Sequence, residues 1–151
     1  MDQHRKLALF FKIKRLIHNY GAKKFKVFNL GLKQAGLIQH LGCQGTLSAS
    51  HLAELSLSDP AAITRSVDIL VKQGYVEKIA SQADRRSWEI TLTPEGKRLF
   101  KKMSTVFDDL EETVFGVLLE TQQKDLLRLL ETLLLKHEEL KGKRKDVCLV
   151  K

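Results

Sequence analysis

The sequence predicts a mainly α-helical fold with a small β-hairpin, on three observations. Only two prolines interrupt 151 residues rich in Leu, Lys and Glu, types that cost little in a helix. Apolar residues recur at three- and four-residue spacing over most of the chain. One stretch alternates instead: Trp88, Ile90 and Leu92 against Glu89 and Thr91, the period of a half-buried strand. The length suits one domain or one compact protomer. A hydrophobic content of 43% supplies a core and argues against wholesale disorder.

The first helix spans 4–20. Leu9, Ile13, Leu16 and Tyr20 form one stripe, and Leu7, Phe10, Phe11 and Ile17 widen it. A stripe that wide needs more than one neighbour. Gly21 is read as its end. Residues 22–30, with Lys23, Lys24 and Lys26, read as a basic loop or frayed turn. A second helix covers 32–41, with Leu37, Ile38 and Leu41 inward, and Gly42 and Gly45 close it.

Ser48 can cap a third, short helix reaching about Leu55, with Leu52, Ala53 and Leu55 inward. Residues 56–58 make a turn. Asp59 then caps a fourth helix, and Pro60 sits at its first position, where a missing N–H costs nothing. Ile63, Val67, Leu70 and Val71 share its buried face, and Gly74 ends it. Residues 75–92 read as a hairpin: a strand over 75–79, a polar loop over 80–87, and the alternating strand. Thr93 caps a fifth helix, with Pro94 first and Glu95 in the favourable first turn. This helix runs to Leu118. Thr121 caps a sixth, 122–140, whose many leucines cover more than one face. Two terminal helices with surplus apolar surface predict a homodimer. The charged tail, 141–151, reads as loose.

Charge is unevenly placed. Residues 1–102 hold 18 Lys and Arg against 8 acids, 103–139 hold 3 against 9, and 140–151 hold 5 against 1. The net +8 therefore comes from a basic front, which favours a polyanion-binding face. Two helices joined by a tight turn and followed by a hairpin with a basic tip make a helix-turn-helix with a wing, a device for duplex DNA. The fourth helix would enter the major groove. Its outer side shows Ala61, Thr64, Arg65, Asp68 and Lys72, with Ala61 and Ala62 at the entering end. Arg65 is the base-reading candidate, because its planar fork can meet guanine O6 and N7 together. Thr64 can bond a base or a phosphate, and the alanines offer methyl contacts. Asp68, three residues after Arg65, is read as orienting that side chain. Ser48, Ser50 and His51 lie at the start of the third helix, where hydroxyls and N–H groups suit phosphate. At the wing tip, an arginine can enter the narrow minor groove, with Asp84 near enough to hold one guanidinium.

Residues 46–100 resemble the MarR family of winged-helix transcription regulators. The family's wing signature is matched by Asp84, Arg86, Leu92, Thr93 and Gly96, and the preceding segment by Leu52, Ala53, Pro60, Arg65, Asp68, Leu70 and Gly74. The resemblance implies a homodimer on a pseudo-palindromic operator, often a repressor released by a small phenolic or similar ligand. It divides the chain into dimerisation helices over 1–30 and 97–140 and a winged DNA-binding domain over 31–96. It assigns Arg86 to the minor groove, Asp84 to anchoring it and Arg85 to a phosphate. It places an effector pocket between the dimerisation helices and the winged domain, where Phe11, Tyr20, His40 and Phe107 are candidate lining; the same four also read as ordinary core. Two features depart from the family pattern. Ala61 and Ala62 replace small hydroxyl residues, and the 22–30 segment is unusually basic, which would add phosphate contacts.

Other classes find little footing. The five histidines share no ligand spacing, no Gly-rich phosphate loop is present, and no serine sits in a nucleophile elbow. No catalytic residue, metal site or cofactor is therefore expected. A winged helix used as a protein-interaction scaffold stays open as an alternative, as does a thiol-based redox sensor using Cys43 or Cys148. Cys43 reads as a small buried residue and Cys148 as exposed in the tail. No stretch approaches the roughly 20 apolar residues of a membrane span, no secretory signal is visible, and a cytoplasmic location is expected.

Overall fold

The computed structural model describes residues 4–82 and 87–140, the last three of them by backbone only. They form α1 (Arg5–Phe25), a 3-10 helix (Lys26–Phe28), α2 (Leu32–Gln44), β1 (Leu47–Ser48), α3 (Ala49–Leu55), α4 (Pro60–Lys72), β2 (Val76–Ala80), β3 (Trp88–Leu92), α5 (Pro94–Phe115) and α6 (Glu120–Leu140). These fall into two compact units, divided within α5 between Leu110 and Glu111.

The first unit holds a three-stranded antiparallel sheet in the order β1-β3-β2. Val76 lies opposite Leu92, Lys78 opposite Ile90 and Ala80 opposite Trp88, while Leu47 pairs with Ile90 from the other side. Directly opposed residues share a face, so Leu47, Val76, Ile90 and Leu92 are buried together. Leu37 and Ile38 of α2, Leu52 of α3, Ile63, Val67 and Leu70 of α4, Leu99 and Met103 of α5, and Phe25 at the end of α1 complete this core. Each such side chain contributes about 1.5–3 kcal/mol by leaving water.

Turn and cap chemistry fixes the order. Ser48 accepts from the His51 N–H at 3.1 Å and starts α3. The Asp59 carboxylate accepts from Ala61 N at 2.9 Å and Ala62 N at 3.4 Å and starts α4. Gly74 takes φ +77° after α4, a conformation other residues pay to adopt. Thr93 accepts from Gly96 N at 3.0 Å and donates to Gly74 O at 2.6 Å, tying the start of α5 to the end of α4.

Several expectations need correction. Gly21 does not end α1; it is buried, and a Cβ there would come within 2.7 Å of the Leu32 side chain. It is glycine because α2 packs against it, and the helix continues to Phe25. Gly42 likewise lies inside α2 under the Phe100 ring, and Gly45 alone ends that helix, at φ +83°. Strand β1 was not foreseen, since two residues are too short to show alternation. α5 stops at Phe115 rather than Leu118. α6 begins at Glu120, with Thr121 inside its first turn; the Gln122 side chain accepts from Leu119 N at 2.9 Å and does the capping. Val71 is 38% exposed, because the buried stripe of α4 runs through Ser66 instead. Trp88 faces the same side as Ile90 yet is 58% exposed, because the core ends before that rung of the ladder. Cys43 is exposed on α2, with the Gln39 amide 3.6 Å from its sulfur. Cys148 and the 141–151 tail lie outside the described residues.

Candidate nucleic-acid interface

The site is built outward from α4. Ile63, Ser66, Val67 and Leu70 point to the core, so the helical period puts Ala61, Thr64, Arg65, Asp68 and Lys72 on the exposed side. Ala62 is half-buried beside them. The Thr64 hydroxyl donates to Pro60 O at 3.0 Å, which leaves its oxygen lone pairs as the outward function. Arg65 is exposed midway along the face.

Asp68 does not serve Arg65 as the sequence suggested. Its carboxylate accepts from Lys78 Nζ of β2 at 2.6 Å. Helix spacing favoured the first partner, but the sheet brings a lysine closer. The pair is half-exposed, so its stabilising effect is small. Its value is geometric, since it ties α4 to β2.

The turn between α3 and α4 carries a feature that sequence reasoning missed. Leu57 has φ +46° and is 73% exposed. Its N–H donates to Glu54 O at 3.2 Å, the Ser58 N–H to Ala53 O at 3.0 Å, and the Ser58 hydroxyl to Ser56 O at 3.2 Å. A non-glycine residue in this conformation costs of order 1 kcal/mol. No glycine marks the position, so no sequence signal could have found it.

At the start of α3, Ser48 is committed to its cap and lies 3.1 Å from the Ser50 hydroxyl. Ser50 is exposed. The two hydroxyls thus sit together at a helix start, the arrangement that suits a phosphate oxygen. In the wing, the Ser81 N–H donates to Ser87 O at 3.1 Å beyond the last β2–β3 rung. Asp84, Arg85 and Arg86 lie outside the described residues.

The four candidate effector residues are placed differently. Phe107 is partly buried on Phe25, with ring centroids 4.9 Å apart and planes tilted by 52°. His40 is half-buried, and loss of hydration there pulls its pKa below the ordinary value of 6.5. Phe11 and Tyr20 are 57% and 42% exposed. They stand nine residues apart, about 13 Å along α1 and half a turn around it, so they do not share a site within one protomer. Of the basic segment, Lys24 is engaged internally, donating to Asp109 of α5, while Lys23 and Lys26 are exposed.

A supporting helix, a strained tight turn, a capped helix with Arg65 and Lys72 on its exposed side and a hairpin tied to it by an ion pair define a winged helix-turn-helix. Residues 31–88, from the start of α2 to the first residue of β3, match the model of the MarR family. Over these residues the chain is similar to that family. The helix-turn-helix transcriptional regulator BilQ of Clostridium symbiosum is 30% identical over 94 residues, which span 62% of this chain and 65% of that protein. The chain thus aligns with somewhat less than two thirds of that relative's length. A mutant MarR from Escherichia coli, solved in complex with operator DNA, shares the fold with a TM-score of 0.79 at 20% identity, over 89% of this chain and 99% of that one. BpsR of Bordetella bronchiseptica, solved in a study of how 6-hydroxynicotinic acid regulates its DNA binding, does so with a TM-score of 0.80 at 20% identity, over 85% and 98%.

Proposed function

We propose that this chain is a sequence-specific, double-stranded-DNA-binding transcription regulator, acting in the cytoplasm as a homodimer on a pseudo-palindromic operator. The observation that carries the reading is the exposed face of α4. It presents Ala61, Thr64, Arg65 and Lys72 outward from a helix whose other side is locked into the core. In this reading Arg65 reads a base, Thr64 accepts from a base edge, and Ala61 and Ala62 let the helix end approach closely. Lys72, Ser48, Ser50 and Arg85 meet phosphates. Arg86 enters the minor groove with Asp84 as its anchor. Residues 31–96 hold the DNA, and the helices of 1–30 and 97–140 hold the partner. The structural neighbour solved with operator DNA and the one whose DNA binding 6-hydroxynicotinic acid regulates support a DNA-binding role open to control by a small molecule, which we read as a repressor released by an effector.

The test is fluorescence anisotropy against a selected duplex pool at several salt concentrations. Affinity should fall steeply with salt, as phosphate neutralisation requires. Arg65→Ala should cost about 1–3 kcal/mol and relax one operator position. An unchanged sequence profile in that variant would remove Arg65 as a reader. A folded protein that binds no duplex at any salt would favour the scaffold alternative.

A further inference from the structure

Trp88 is the chain's single tryptophan, and it sits where a buried aromatic was expected but none is buried. It is 58% exposed. On β3 it shares a face with Ile90 and Leu92, which are 1% and 6% exposed. Across the ladder it faces Ala80, too small to cover an indole, and Lys78 is the next residue of β2 on that face. On the other side, β1 ends at Ser48 opposite Glu89, one rung short of Trp88. Lys78 is paired to Asp68 of α4, so this face of the hairpin is the one turned toward α4. By the alternation of the ladder, Trp88 stands on that same face, one same-face step beyond the Lys78–Ile90 rung toward the hairpin tip.

That position has a defined counterpart on a duplex. If α4 lies in the major groove and the wing reaches the adjacent minor groove, the wall between the two grooves is one sugar–phosphate strand. A side chain set between α4 and the wing meets that strand. We propose that Trp88 is a DNA-backbone contact, its ring lying against deoxyribose and its indole N–H donating to a phosphate oxygen. An indole offers an apolar body and one donor, which suits a surface of alternating sugar and phosphate. The contact carries no charge and reads no base. It rests on the DNA-binding reading above, and adds to it a residue outside the charged groups.

The lone tryptophan reports on itself. Acrylamide quenching of its emission should fall severalfold when unlabelled operator duplex saturates the full-length protein. Trp88→Ala should weaken binding about three- to tenfold, the worth of one net hydrogen bond and a covered ring. Trp88→Phe, which keeps a ring but loses the donor, should lose less. Both losses should be equal across operator variants, because backbone contacts carry no sequence information. Both should leave the slope of log affinity against log salt unchanged, because no cation is removed. The charge-bearing Lys72→Ala should flatten that slope instead. The proposal is overturned if labelled duplex binds fully while quenching stays at its free value, or if Trp88→Ala binds as tightly as the parent; the DNA-binding reading survives both results. If the parent protein binds no duplex, the reading itself fails. If quenching falls only in the presence of a second protein, the indole is a protein contact and the backbone assignment fails.

Discussion

The winged segment and the terminal helices spend similar apolar residues to opposite ends. α4 turns Ile63, Val67 and Leu70 inward, at 3%, 1% and 0% exposure, and leaves Thr64, Arg65, Asp68 and Lys72 on its outer side. α1 has at least as many large apolar side chains, yet Leu7, Leu9, Phe10, Phe11, Ile13, Leu16 and Tyr20 all stand exposed in the single chain. α6 does the same with Leu127, Leu129, Leu133, Leu134 and Leu135. The difference teaches that the chain completes one core by itself and carries surplus apolar surface on its terminal helices. Patches of that extent mark interaction surfaces, and the proposed homodimer supplies the cover.

The largest effect should come from breaking the completed core. Leu70→Ala leaves a cavity where the side chain is fully enclosed, and should cost about 2–5 kcal/mol in urea unfolding. A loss well under 1 kcal/mol would mean that the core around α4 collapses to fill the gap.

The incomplete region should behave otherwise. Leu9→Lys combined with Ile13→Lys changes residues that are already 49% and 48% exposed within the chain. Sedimentation should show the mass fall from about twice 17.2 kDa to 17.2 kDa, with operator binding lost alongside. A species that keeps the dimer mass would show that α1 is not part of the interface.

Two smaller changes sharpen the picture within the completed unit. Asp59→Ala removes the acceptor of two α4 N–H groups and should cost about 0.5–2 kcal/mol, read as a shift of the urea midpoint at unchanged slope. No shift would mean water replaces the cap without loss. The smallest effect concerns His40. Burial lowers its pKa below 6.5, while the unfolded chain titrates near that value. Above pH 6.5 both states hold it neutral and stability is undiminished. As pH falls toward the folded value the unfolded chain takes up the proton first, and stability declines. His40→Gln should remove part of the decline between pH 7 and 5; an identical slope in parent and variant would rule out this contribution.

Legibility in the sequence followed the range of the interaction. Asp59, Pro60, Ser48 and Thr93 announced their helices because capping is settled within three residues of the chain. The inward stripe of α4 and the alternation of β3 were readable because each has a fixed period. Some ends were misread locally, as where Gln122 rather than Thr121 caps α6; the other errors lay where a distant residue decides. Gly21 and Gly42 looked like helix ends, but Leu32 and Phe100 packed over them are the reason for glycine. Asp68 looked like a partner for Arg65, but Lys78 from another element reached it first.

By itself the sequence determined the long helices and the alternating strand, the starts of α3, α4 and α5, and which face of α4 carries Arg65, because those depend on local hydrogen bonds and on periodicity. Only the tertiary structure decided that Trp88 stands outside the core and that Lys78 ties α4 to the hairpin. It also decided that Leu57 is held left-handed in the turn. Each of these depends on where the close-packed core stops, and a core boundary is set by residues far apart in the chain.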